Sequence, residues 1–163
     1  MKKLMTLLLM ALMVTGLQAQ SKSGLPNVTL KDLNGKDVNL AEVSNNGKPV
    51  IIVFWATWCK TPCVSELDNL NDLYQKWQNE TGVRVFAVSM DDSRTAENVK
   101  PLAESKGWDF EVLLDVQGSL KQSMNIYSPP VVLLIDGKGN IVYQQGYTED
   151  LFENLYDEIL KII

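Results

Sequence analysis

Apolar and polar positions alternate in two distinct periods along this chain, and the change of period marks its centre. Val50 to Trp55 is an unbroken apolar run, the pattern of a strand buried on both faces. From Leu67 the apolar residues recur at Leu70, Leu73, Tyr74 and Trp77, the three-to-four spacing of an amphipathic helix. Between them lie Cys59 and Cys63, the only cysteines of the 163 residues. Both therefore fall where a buried strand meets a helix N-terminus. Unpaired N–H groups and the helix dipole favour negative charge there, which pushes a thiol toward thiolate, the nucleophile of disulfide exchange.

The flanking pattern completes an α/β chain. Val28–Lys31 and Val38–Leu40 flank an Asn34-Gly35 turn and predict a hairpin. Thr81-Gly82 stops the first helix. Val83 to Ser89 predicts the next strand, and Thr95 to Lys106 a helix that Pro101 kinks or delays. Phe110–Leu114 predicts a short strand and Gln117–Met124 a short helix. Val131–Ile135 and Ile141–Gln145 predict a second hairpin around Gly137-Lys138-Gly139-Asn140. The last helix is expected to start at Thr148 as N-cap and to bury Leu151, Leu155 and Ile159. Strands alternating with helices, plus antiparallel additions, predict a mixed sheet covered on both faces.

Residues 1–19 carry a different pattern. Lys2 and Lys3 precede an apolar run, Leu4 to Leu17, too short to span a bilayer comfortably. This predicts a secretory signal cleaved after Ala19, with residues 20–163 as one domain. The alternative is an uncleaved anchor. Export to a periplasmic compartment would place the cysteines where disulfides persist. Removing Lys2 and Lys3 takes the basic count from 15 to 13 against 20 acidic residues, a net charge near −7. That charge opposes nucleic-acid binding and favours solubility. With the signal removed, no stable membrane anchor is expected.

Cys59 precedes the helix and is expected to be the exposed, attacking thiol. Cys63 lies in its first turn and is expected to be the buried, resolving one. The alternatives are a structural bridge or two inert thiols, although a bridge over so short a loop constrains little of the unfolded chain. Residues four apart on a helix are about 6 Å apart at Cα, within disulfide range. Pro62 is expected to begin the helix with Thr61 as N-cap. Glu66 follows Cys63 by three residues, on the same helix face, where burial would raise its pKa. Lys60 offers a positive charge beside Cys59. Trp55 is read as core and Trp58 as a rim residue that touches partners.

Phe54-Trp55-Ala56-Thr57-Trp58-Cys59, Pro62-Cys63 and Glu66-Leu67 resemble the thioredoxin superfamily, and within it the TlpA-type secreted thiol–disulfide oxidoreductases. Pro130 to Asp136 resembles the strand that follows the family's cis-proline, and Val28 to Leu40 its first hairpin. The resemblance implies a thioredoxin-like fold with an N-terminal β-hairpin extension. It implies Cys59, Cys63 and Glu66 as catalytic residues, with Pro129 and Pro130 against substrate; Trp58 and Lys60, beside Cys59, are expected to contact it as well, the alternative for Lys60 being a solvated side chain. It implies no cofactor. The partners it implies are oxidised protein substrates such as apocytochrome c, and a membrane electron donor that re-reduces the pair. The family's buried aspartate falls at Val53, which cannot titrate. Pro129 precedes the cis-proline and lacks the N–H that would pair with a substrate strand.

The spacing departs from the family, with three residues, Lys60, Thr61 and Pro62, between the cysteines instead of two. Sco-type copper chaperones share that spacing, and two thiolates suit Cu(I). Those sites add a distant histidine, and this chain contains none. Thiol peroxidases need Thr or Ser three residues before the reactive cysteine, where Ala56 and Lys60 stand. No metal site is expected.

Overall fold

The computed structural model describes residues 24–43 and 45–163. The expected secretory signal, residues 1–19, lies outside the described residues. Among those described, no helix is long and apolar enough to cross a membrane.

Seven strands form one sheet: β1 (Thr29–Asp32), β2 (Asp37–Asn39), β3 (Val50–Trp55), β4 (Arg84–Ser89), β5 (Glu111–Leu114), β6 (Val131–Ile135) and β7 (Ile141–Gly146). Their order is β2-β1-β5-β4-β3-β6-β7. All six residues of β3 are buried. It pairs in parallel with β4, from Val50↔Arg84 to Trp55↔Ser89, and antiparallel with β6, from Val50↔Ile135 to Phe54↔Val131. The β1–β2 hairpin adds antiparallel to β5. Its turn is held by the Asp32 carboxylate, which accepts the Asn34 and Lys36 N–H groups, while Gly35 supplies a φ of 82°. This is the expected thioredoxin-like fold, with its mixed sheet and N-terminal hairpin.

Because side chains on a strand alternate, β3 feeds both faces of the sheet. Ile51, Val53 and Trp55 join the side chains of α1 (Ser65–Thr81), α2 (Val99–Lys106) and α4 (Leu151–Leu160). Val50, Ile52 and Phe54 join the opposite layer, with Leu120 of α3 (Ser119–Ser123), Leu40 and Ile126. Leu67 and Leu70 of α1 are fully buried. Each such side chain contributes about 1.5–3 kcal/mol through removal from water.

Helix α1 is held on both flanks. Trp77 stacks on Tyr156 of α4 at 5.3 Å and meets Phe152 edge-on. On the other flank Asp68 accepts the Trp108 indole N–H at 2.9 Å and pairs with Lys106 at 2.6 Å. So α1 lies between α4, on the β6–β7 side, and α2, on the β4–β5 side.

The helix stops fall at Gly82 and Gly107, with φ of 71° and 65°. Pro101 delays α2. A single 3-10 turn covers Ala96–Asn98, and the regular helix begins at Val99. Pro101 is then its third residue, where an N–H would have no intrahelical acceptor. The expected N-cap at Thr148 is corrected. The helix starts at Leu151, whose N–H donates to the Thr148 carbonyl at 3.2 Å, so Thr148 closes a turn outside the helix.

Candidate active site

The site lies at the C-terminal end of β3. There the chain leaves Trp55 and Ala56, both fully buried, and turns outward through Thr57, Trp58 and Cys59. Cys59 donates its N–H to the Ala56 carbonyl at 3.1 Å, which tightens this loop.

The extra residue between the cysteines is absorbed in a wide turn, Lys60–Val64. Val64 donates to the Cys59 carbonyl at 3.3 Å, and Ser65 donates to Lys60, each five residues back. One residue added to a 3.6-residue turn produces this geometry. Thr61 is extended, at φ −124° and ψ 124°, and the Thr61–Pro62 bond is cis. The expectation that Thr61 caps the helix is therefore corrected: no side-chain capping bond is made in this turn, and the regular helix begins at Ser65.

Cys59 and Cys63 form a disulfide, with Cα atoms 5.4 Å apart. The two sulfurs differ in surroundings. Cys63 is 1 % exposed, in one apolar cluster with Trp55, Val64 and Leu67. Cys59 is only partly buried at the edge of that cluster. Cys59 is thus the more accessible sulfur of the pair.

Glu66, in the first turn of α1, is half-buried. Desolvation pushes its carboxyl above the usual range, and a hydrogen bond with the Asn69 side chain opposes this. The direction is the one expected from its place beside Cys63. Trp55 is fully buried, edge-on to Trp108 at 5.1 Å, whereas Trp58 is 59 % exposed. Lys60 is exposed. The Pro129–Pro130 bond is cis, as expected for Pro130. The pairing of Phe54 with Val131 brings these prolines to the same end of the sheet as Cys59.

One group was not foreseen. Asp91 is 1 % exposed, two residues beyond β4. Its carboxylate accepts the Thr57 N–H at 2.9 Å, the Thr57 hydroxyl at 2.5 Å and the Ser89 hydroxyl at 2.7 Å. Among the described residues no cation pairs with it. The visible signal was Ser89-Met90-Asp91 at the end of an apolar strand. Its use depends on the register Trp55↔Ser89, which sets Asp91 beside Thr57. Among the described residues no group of three His, Cys, Asp or Glu side chains could hold a metal ion.

Residues 22–144 match the AhpC/TSA family. The chain belongs to that family. It is 34% identical over 137 residues to a protein named thiol-disulfide oxidoreductase ResA of Bacillus thuringiensis subsp. konkukian, covering 84% of this chain and 75% of that one. The solution structure of a thioredoxin-like protein from Porphyromonas gingivalis superposes with a TM-score of 0.77 at 44% identity, over 86% of this chain and 92% of that one. A putative thiol:disulfide interchange protein DsbE from Chlorobium tepidum gives 0.74 at 25% identity, over 86% and 95%. With a disulfide at the head of α1 in a thioredoxin-like fold, the chain is a thiol–disulfide oxidoreductase.

Proposed function

We propose that this protein is an exported, TlpA-type thiol–disulfide oxidoreductase that reduces protein disulfides outside the cytoplasm. The observation that carries this reading is the asymmetry of the pair, an accessible Cys59 bonded to a Cys63 that is 1 % exposed. In the reduced protein the Cys59 thiolate attacks one sulfur of a substrate disulfide. A Cys59–substrate mixed disulfide forms, and the substrate's other sulfur leaves as a thiolate. Cys63, deprotonated, then attacks Cys59 Sγ, which closes the Cys59–Cys63 bond and releases the second substrate thiolate. Two electrons pass from the pair to the substrate, and the protons of the two protein thiols end on the substrate's thiols.

Glu66 takes the proton from Cys63 in the resolving step. Burial raises its pKa above the usual carboxylate range, which favours its accepting a proton. Trp58 and Lys60 contact the substrate on the loop side, and Pro129 and Pro130 on the β6 side. A membrane dithiol donor re-reduces the pair, and oxidised proteins such as apocytochrome c are the substrates. The apolar leader with Lys2 and Lys3 supports export. Ala56 stands where peroxidase chemistry needs a hydroxyl, and the chain contains no histidine to complete a copper site.

Two measurements test the reading. Cys63→Ser should accumulate a mixed disulfide through Cys59, and Cys59→Ser should not. The reduction potential of the pair should lie near about −270 mV or below; a value near about −120 mV would make the protein an oxidant.

A further inference from the structure

A groove of about 340 Å³ opens beside the nucleophile's loop, between α1 and α2. Val64 and Leu102 are the apolar side chains of its lining, which Thr57, Ser65, Lys60, Asp68 and Lys106 complete. It lies on the β4–β5 side of β3, whereas Pro129 and Pro130 lead into β6 on the other side. A polypeptide joined to Cys59 would meet the prolines on one flank and this groove on the other.

Leu102 is half-buried, packed against the core from the first turn and a half of α2. The charges are not balanced. Asp68 is engaged by Lys106 at 2.6 Å and by the Trp108 indole N–H. Lys60 forms no ion pair among the described residues. The groove therefore carries one unmatched positive charge on a chain whose net charge is −5. Lys60 also adjoins Cys59, so that charge faces whatever the nucleophile holds.

We infer that this groove is a specificity subsite for the substrate segment flanking the attacked cysteine. Its apolar lining takes an apolar side chain close to that cysteine, and Lys60 takes a neighbouring carboxylate. The inference rests on the exchange proposed above.

The test uses the reduced protein and short peptides carrying one cysteine as a mixed disulfide with a small thiol. Each peptide holds Leu or Ser, and Glu or Lys, beside the cysteine, placed on both sides in turn. The Leu and Glu peptide should be reduced roughly tenfold faster than the Ser and Lys peptide. Lys60→Glu should invert the Glu-over-Lys preference, and Leu102→Ser should abolish the Leu-over-Ser preference. Ratios within one variant cancel whatever the substitution does to Cys59 itself. Lys60 is exposed, so its variant carries the test even if Leu102→Ser unfolds. Unchanged ratios in Lys60→Glu overturn the subsite. A wild-type protein whose Cys59–Cys63 disulfide is reduced by dithiothreitol but which then reduces all peptides alike also overturns it, and spares the redox reading. Absence of exchange with dithiothreitol overturns both.

Discussion

Asp91 binds Thr57 twice, through the backbone N–H at 2.9 Å and the side-chain hydroxyl at 2.5 Å, and so anchors the loop two residues ahead of Cys59. Asp91→Ala leaves the Thr57 N–H and the Ser89 hydroxyl without this acceptor, which should cost about 1–3 kcal/mol of stability. Asp91→Asn keeps an acceptor but removes the buried carboxylate that holds the loop leading to Cys59. The Cys59 thiol of the reduced protein should then ionise at lower pH. Alkylation rate against pH measures this, and an unshifted profile would limit Asp91 to holding the loop.

Glu66 supplies a pH dependence of defined sign. Its folded-state pKa is raised by burial, so its contribution to stability is full below the unfolded value. That contribution is lost as pH rises through the folded value. Denaturant unfolding of wild type and Glu66→Gln should therefore diverge in favour of the variant as pH rises from acid to neutral. The variant's resolving step should lose its carboxylate-dependent limb. Parallel stability curves would show that burial of Glu66 carries no cost in the folded protein.

Pro129 accepts a hydrogen bond through its carbonyl but cannot donate one. One hydrogen bond contributes about 0.5–1.5 kcal/mol, so generic peptides should be captured several-fold more weakly than with a donor there. Pro129→Thr should speed insulin reduction, with the circular dichroism spectrum as the control for folding. A folded variant that is no faster shows that the missing N–H does not limit turnover.

Gly137 packs so closely that an added Cβ would lie 2.0 Å from the Gly47 carbonyl oxygen. Gly137→Ala must move one of two backbones and should cost about 1–3 kcal/mol. The contact is at the N-terminal end of β3, opposite Cys59, since Val50 pairs with Ile135 there. Thermal unfolding should show the loss, while reduction per folded molecule stays at the wild-type rate.

Much of this was legible from pattern alone. A six-residue apolar run fits a strand covered on both faces, and the spacing from Leu67 to Trp77 fits one buried side of a helix. The Cys59–Cys63 bond and the direction of the Glu66 shift were legible because these residues are close in sequence, where local geometry decides. Asp91 was not, because its contact spans 34 residues and exists only through the β3–β4 register. Thr61 was misread because a threonine before a proline is a good capping pair. The third residue between the cysteines widens the turn and moves the regular helix on to Ser65. At the last helix, Thr148 resembles a cap, and only the packing of Leu151 and Phe152 against the core places the start.

Cys63 is 1 % exposed and belongs to the same apolar cluster as Ile51, Leu155 and Ile159. The packing around Cys63 therefore contributes to the redox free energy of the pair. A thermodynamic cycle connects folding and reduction. The difference in stability between oxidised and reduced forms equals the difference between the pair's potential in the folded chain and in the unfolded one. Every 30 mV of that difference corresponds to about 1.4 kcal/mol. A substitution anywhere in the cluster, even under α4, that favours one form's packing also retunes the potential, so the difference in stability between the two forms reports how far folding shifts it.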